Sequence, residues 1–424
     1  MGSDHNMLLS DSLYGEIELD AEIYDLMRCP LVQRLRYIRL SNIDSLSMPG
    51  IANISRYEHS IGVAYLASKV GFSHLLPRND KLVIEAAGLI HDTAITPFGH
   101  LAEEALRYVS SDYDHEAKWS LLLGPESSDE LGGVDLQLYL GRESGLRRWA
   151  YRTFERDAEH YLEKIFDAVK GTGDYGKCIA TDIDLDNLDN VTRIAHHMGI
   201  EVDHNLPLLI ASKMVQFTMN REIIFSDDSI DLIEQWLQLR EKVYNRLMLS
   251  RDDFCGKAML LFASVSAYEK GYIAPSDWIL TDQEFMARLL SIKDNDISKS
   301  VERWMLYDLW SLSELVWMHG KPPDFRQIYS FSEEISRMIG RTCFAYRIKD
   351  KRTRSLSLHL SSGKQVILGK DPSMWLLGVA SPVRRNFSSD ENNRIAEIAS
   401  TFFSTIYLGT STLIKRHASL FDMG

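Results

Sequence analysis

The sequence predicts a mainly α-helical protein with a smaller α+β region at its C-terminal end. Three patterns lead there. Apolar residues recur at helix spacing over most of residues 20–320. One stretch, Leu82 to Ile90, is apolar nearly all round, as a helix buried in a helical core would be. After Lys321-Pro322-Pro323 the period shortens to two, in Cys343 to Ile348 and at Leu356, Leu358 and Leu360.

The elements follow in order. Ile17 and Leu19 alternate with Glu16 and Glu18, a brief strand or extended arm. Helix is expected from about Glu22, with Leu31, Leu35 and Ile38 at helix spacing among Arg34, Arg36 and Arg39. Pro49-Gly50 places residues 41–55 in a loop. A helix begins near Ser55, with Ile61, Ala64, Tyr65 and Ala67 as its apolar side. Pro77-Arg78-Asn79 interrupts, and the next helix runs from Asp80 to His91-Asp92. Pro125, Gly132, Gly133 and Gly141 mark about 125–147 as a surface excursion. Helical spacing resumes over 149–170, residues 171–176 form a turn, and long helical patterns cover about 205–320. Val366 to Leu368 and Trp375 to Val379 are short apolar runs. A closing helix starts after Ser388 or Ser389 and carries Ile395, Ile398, Phe402 and Ile406. The division expected is a core of residues 1–323 and a small α+β domain of residues 324–424.

Composition narrows the function. Of 424 residues, 45% are hydrophobic and 25% charged, the balance of a globular chain rather than a disordered one. The formal net charge of -13 disfavours extended nucleic-acid binding, since phosphate backbones would be repelled. A small phosphorylated ligand stays open, because a metal ion supplies local positive charge. Cys29, Cys178, Cys255 and Cys343 form no C-x-x-C pair and are too scattered for a disulfide framework, so a reduced, cytoplasmic setting is expected. No apolar run approaches the ~20 residues that span a bilayer, and no secretory signal is expected. Asn6 stands where a myristoylation start needs Ser or Thr.

Three places concentrate groups able to bind a metal. They are Arg56-Tyr57-Glu58-His59, then His91-Asp92 with His100 and Glu103 beyond it, then Asp182, Asp184, Asp186 and Asp189 close to His196-His197. Each has a bland reading: a helix histidine, a solvated helix end, a helix start rich in aspartate. Two ionisable groups ending an apolar helix are harder to explain away, because burial of unpaired charge is costly. Imidazoles and carboxylates together make a mixed set of ligands for a divalent ion.

The order His, then His-Asp, then a distant Asp resembles the HD-domain phosphohydrolases. The likeness extends to the deoxynucleoside triphosphate triphosphohydrolase branch through Leu13-Tyr14-Gly15, Gln33-Arg34-Leu35-Arg36, the stretch from Arg56 to Val63, the stretch from Ala87 to Asp92, Pro97-Phe98-Gly99-His100, and Asp184-Leu185-Asp186 with Asp189, Arg193 and His196-His197. It covers about residues 10–320. The resemblance implies an HD helical core, a divalent ion (Mn, Fe, Ni, Zn, Co or Mg) on His59, His91, Asp92 and Asp186, and an oligomer. It implies His115 as general acid, Glu103 as the carboxylate that tunes it, and Arg56 on a phosphoryl oxygen. It further places His100 and Tyr244 against a nucleotide.

The chain departs from that branch at several positions. Ile95 stands where a second phosphate-contacting histidine is usual, Asn187 where a lysine is, Asn190 where a tyrosine is and Ile194 where an acid is. Gln235 and Trp236 lie where an arginine is often found. Losing cationic donors weakens a triphosphate more than a less charged substrate. The expectation is therefore a metal-dependent nucleotide phosphohydrolase, triphosphate-directed by default. Its rivals are a phosphomonoesterase on a nucleoside monophosphate or other phosphoester, and a catalytically silent nucleotide-binding regulator.

Overall fold

The computed structural model describes residues 7–41, 46–109, 145–370 and 373–410. The chain opens with an antiparallel hairpin of β1 (Met7–Asp11) and β2 (Gly15–Leu19), Met7 opposite Leu19. Ile17 and Leu19 turn inward, as their alternation predicts. Two short helices follow, α1 (Ala21–Met27) and α2 (Pro30–Arg34). Leu31, Leu35 and Ile38 do not share one helix: a 3-10 turn covers Leu35–Tyr37 and Ile38 is already extended. Arg34 holds this bend. Fully buried, it donates to the carbonyls of Leu280 at 2.8 Å and of Ile95 and Trp278 at 3.0 Å.

α3 (Arg56–Ser68) begins where Ser55 accepts the backbone N–H of Glu58. α4 (Arg78–Ile90) starts two residues earlier than the sequence suggests, with Pro77 standing just outside it at the N-cap. Small residues let these two helices meet closely. A side chain at Gly88 would lie 3.2 Å from the backbone N of Ala64. A loop in which Phe98 takes φ 55° leads to α5 (His100–Val109). α6 (Leu146–Phe154) and α7 (Ala158–Val169) divide the expected 149–170 helix at Glu155, which takes φ 50°. The end of the expected excursion, 146–147, is helical; residues 125–144 lie outside the described residues.

α8 (Gly176–Ile179), α9 (Leu185–His197) and α10 (Leu206–Ser212) come next. The expected helical run of 205–320 is interrupted by β3 (Met214–Phe217) and β4 (Ile223–Phe225). It resumes as α11 (Ile230–Leu249), α12 (Arg251–Glu269), α13 (Asp282–Ser291) and α14 (Asn295–Met305), and ends in β5 (Ser311–Leu312) and β6 (Val316–His319). These strands are short, and the partners of β4, β5 and β6 lie far along the chain. α15 (Phe325–Ile339), β7 (Phe344–Lys349), β8 (Leu356–Leu360), β9 (Gln365–Leu368), β10 (Met374–Ser381), α16 (Ser389–Phe402) and β11 (Ile406–Thr410) complete it. Ile406, assigned from spacing to the closing helix, starts β11 instead.

The protein is mainly α with a few small sheets. One sheet runs β3-β4-β8-β9, with β4 and β8 parallel. In the other, β10 takes β6 and β5 along one edge and β7 along the opposite edge. Both sheets therefore join strands from either side of residue 323. Phe344, Tyr346, Leu356 and Leu376 belong to the main hydrophobic core, while Ile328, Phe331, Trp375 and Ile395 form a smaller one beneath α15 and α16. No helix among the described residues is long and apolar enough to cross a membrane.

Candidate metal centre

His59 sits on the first turn of α3 and His91 just past the last residue of α4. The close packing of these helices brings the two rings edge to face, with centroids 5.1 Å apart. Asp186, in the first turn of α9, completes a group whose ligand atoms all lie within 4.8 Å of one another. Asp92 is adjacent: its Oδ2 lies 3.5 Å from Nε2 of His91 and accepts from Arg56 at 2.6 Å.

The hydrogen bonds fix which ring atoms face the centre. Nδ1 of His91 donates to the carbonyl of Gly88 at 2.7 Å, so in the neutral ring Nε2 carries the lone pair. That Nε2 is buried and has no hydrogen-bond partner among the described residues. A buried polar atom left unpaired is costly, and a divalent ion in reach of His59, Asp92 and Asp186 would satisfy it. His59 is held at both nitrogens. Nδ1 faces Asp189 at 2.7 Å and Nε2 faces Asp186 at 2.9 Å.

Charge follows this geometry. Burial alone would lower the pKa of His59, yet its hydrogen bonds to Asp186 and Asp189 hold it up at about 9. Burial would raise Asp92, but the Arg56 guanidinium, backed by His91 and His59, holds its carboxyl well below the usual range. Asp186 is also lowered: burial would raise it most, but the hydrogen bond to His59 and the charges of His91 and His59 together outweigh burial. The cluster attracts positive charge, as a cation site must.

The aspartates divide their work. Asp184 is the N-cap of α9 and accepts the N–H groups of Asn187 and Thr181, both at 2.6 Å. Asp189, a turn after Asp186, is fully buried and binds Arg193 through Nε and Nη2, each at 2.9 Å. Tyr14 of the N-terminal hairpin donates to it at 2.9 Å. A carboxylate behind a ligating histidine fixes its tautomer and its angle. Gly62 makes room for this pair, since a side chain there would lie 2.0 Å from Oδ2 of Asp189.

An open cavity of about 410 Å³ adjoins the cluster, within the range of small-molecule sites. Arg56, His91, Asp92, His100, Asp186 and Tyr244 line it. Tyr244 packs its ring under the Arg240 guanidinium, 4.5 Å from the centroid. Glu103 is buried and accepts from His100 at 2.9 Å and from Arg107 at 2.5 Å. His115 lies outside the described residues. Among the altered positions, Asn190 and Ile194 line the cavity. Ile95 is turned into a small apolar cluster with Leu35 and Ile38, Asn187 is tied to Asp184, and Trp236 is fully buried.

Two features of the site carry no motif in the sequence. Asp189 belonged to a cluster without a distinct role; its spacing from Arg193, four residues along one helix, was the available signal. The cavity is also lined by Lys257, Arg347, Lys349 and Lys351, which no motif marked.

Comparisons with known proteins agree with this geometry. The HD domain family model matches residues 56–126. An uncharacterized protein of Methanocaldococcus jannaschii, MJ1154, is 21% identical over 410 residues, covering 91% of this chain and 81% of its own length. The deoxynucleoside triphosphate triphosphohydrolase SAMHD1 of Xenopus laevis is 37% identical over 230 residues, 46% of this chain. The Bos taurus protein of the same name is 26% identical over 230 residues, 47% of this chain. The chain spans only 34% and 36% of those two relatives. The matched segment brings Arg56, His59, His91 and Asp92 together, so the chain carries an HD domain, a domain of metal-dependent phosphohydrolases.

Proposed function

We propose that this chain hydrolyses a nucleotide at phosphorus, the triphosphate by default, with a divalent ion held by His59, His91, Asp92 and Asp186. The observation that carries the reading is the buried Nε2 of His91, without a hydrogen-bond partner among the described residues and aimed at the carboxylates of Asp92 and Asp186. A bound ion supplies Lewis acidity and lowers the pKa of water at the site.

The chain's own groups do the rest. Asp189 keeps Nδ1 of His59 protonated so that Nε2 faces inward. Arg56, anchored on Asp92, reaches the cavity and offers its remaining guanidinium N–H groups to a phosphoryl oxygen. His100 borders the same space, and Glu103 orients it from 2.9 Å. Tyr244 offers an aromatic face to a base. His115 is assigned the proton for the leaving oxygen, with Glu103 as the acid that tunes it.

The test is mass-resolved product analysis of metal-loaded protein against a panel of nucleotides and phosphoesters. Intact triphosphate released from a deoxynucleotide is the expected result. Phosphate from monophosphates alone would transfer the reading to a phosphomonoesterase, and silence across the panel to a nucleotide-binding regulator. Asp92→Ala should remove bound metal and turnover together; turnover retained by metal-free protein would sink the reading.

A further inference from the structure

The cavity has a second charged wall, opposite in character to the metal cluster and built from residues outside the HD segment. Lys257 comes from α12; Arg347 and Lys349 come from β7, and Lys351 stands two residues beyond the end of that strand. Among the described residues, Arg56 included, five cationic side chains line the cavity, against the three acids Asp92, Glu104 and Asp186. Two of those acids belong to the metal cluster. This concentration of positive charge stands out in a chain whose net charge is -13.

The wall is fixed in place. Arg347 stacks its guanidinium over the Phe325 ring at 4.7 Å. The backbone N–H of Lys351 points at the sulfur of Met248, 3.4 Å away. Among the described residues neither Lys349 nor Lys351 forms an ion pair with a carboxylate. Glu104 faces Arg347, Lys351 and Lys257 from α5, one turn after His100, and its Oε2 is buried with no hydrogen-bond partner among the described residues. An unpaired buried oxygen beside several cations is a place where a ligand group is missing from the hydrogen-bond count.

We propose that Lys257, Arg347 and Lys351 form an anion subsite that takes the phosphoryl groups beyond the one at the metal cluster. The inference rests on the phosphohydrolase reading and deepens it. It supplies, from α12 and the end of β7, the positive charge that Ile95 and Asn187 do not, and it makes a polyphosphate chain the ligand class. Burial pushes Glu104 up to about 7 against the pull of Arg347, Lys351 and Lys257. Near neutral pH it therefore has a proton to donate to a phosphoryl oxygen rather than a full charge to repel it.

The experiment is calorimetric titration of the metal-loaded full chain with inorganic phosphate, diphosphate and tripolyphosphate. Affinity should rise with each added phosphoryl group. Lys351→Ala, at an exposed side chain, should weaken tripolyphosphate about tenfold or more, since a lost charged hydrogen bond is worth roughly 1.5–3 kcal/mol, and leave phosphate nearly unchanged. Lys364→Ala removes an equal charge from the exposed turn between β8 and β9 and should change neither. Lys257→Met is a second variant, checked by thermal unfolding before use. Equal affinity for all three anions, no binding of tripolyphosphate, or equal losses in the Lys351 and Lys364 variants would overturn the subsite. Metal content and nucleotide turnover, measured on the same samples, report on the phosphohydrolase reading separately: chain-length-dependent binding in protein that neither holds metal nor hydrolyses would uphold the subsite and reject that reading.

Discussion

Nδ1 of His59 lies 2.7 Å from Oδ1 of Asp189, and neither side chain is more than 1% exposed. The contact joins α3 to α9 and ties the metal cluster to the N-terminal hairpin, because Asp189 also accepts from Tyr14 and Arg193. Burial would raise the pKa of Asp189, but the charge of Arg193 and the bonds from His59 and Arg193 hold it well below the carboxylate range. Asp189→Asn keeps the shape and removes the charge. Metal affinity should fall roughly 10- to 100-fold, as for other carboxylates behind a ligating histidine. Stability should fall by on the order of 3 kcal/mol, the lower end for breaking a buried ion pair. Metal titration and urea unfolding read the two effects; unchanged metal affinity would reduce Asp189 to a packing role.

Arg34 offers a test of how the segment after Asp92 is held. Its guanidinium reaches the carbonyls of Ile95, Trp278 and Leu280 at once. A lysine cannot present this fork. Arg34→Lys should cost about 3 kcal/mol or more in urea unfolding, because several buried carbonyls lose a charged donor. A loss below about 1 kcal/mol would mean that water or backbone shifts replace it.

Glu85 sets a pH dependence away from the centre. It is fully buried on α4, neither oxygen has a hydrogen-bond partner among the described residues, and Lys81 stands 3.6 Å away. Burial, with help from Asp20 and against Lys81, pushes its pKa up to about 7. The folded state therefore holds a proton that the unfolded state releases near the ordinary value of 4.5. The contribution is fully present below that value and is lost as pH rises from 4.5 to 7, a change on the order of 3 kcal/mol. Glu85→Gln should flatten this slope and be the more stable protein at pH 8. Parallel stability curves for the two proteins between pH 4 and pH 8 would refute the assignment.

Tyr244 separates base recognition from phosphate recognition. Its ring lines the cavity under Arg240. Stacking of a base on an aromatic side chain is worth roughly 1–3 kcal/mol, so Tyr244→Ala should weaken nucleotide binding by about tenfold or more. Inorganic tripolyphosphate, which has no base, should bind the variant as it binds the parent. Equal losses for both ligands would mean that the ring shapes the cavity as a whole.

The helical class, the alternating runs beyond Lys321-Pro322-Pro323 and the ionisable groups that close α4 could be read from the order of the amino acids. These were legible because they rest on local rules: apolar spacing, Ser55 and Ser388 as caps, and ionisable groups closing an apolar helix at His91-Asp92. The choice of Asp186 over Asp184 came from resemblance; folded, Asp184 is occupied as a cap. The bend at Leu35, the strands β3 to β6 and the placement of Ile406 in β11 were decided by partners distant in sequence. So was the buried role of Asp189, which needs Tyr14, His59 and Arg193 to converge from three elements. The cationic wall is the clearest case: Lys257, Arg347 and Lys351 carry no motif, and only the packing of α12 against both α5 and β7 makes them neighbours of one cavity. Local pattern fixes what a segment becomes; long-range packing fixes which charges share a space, and the chemistry of this site depends on that sharing.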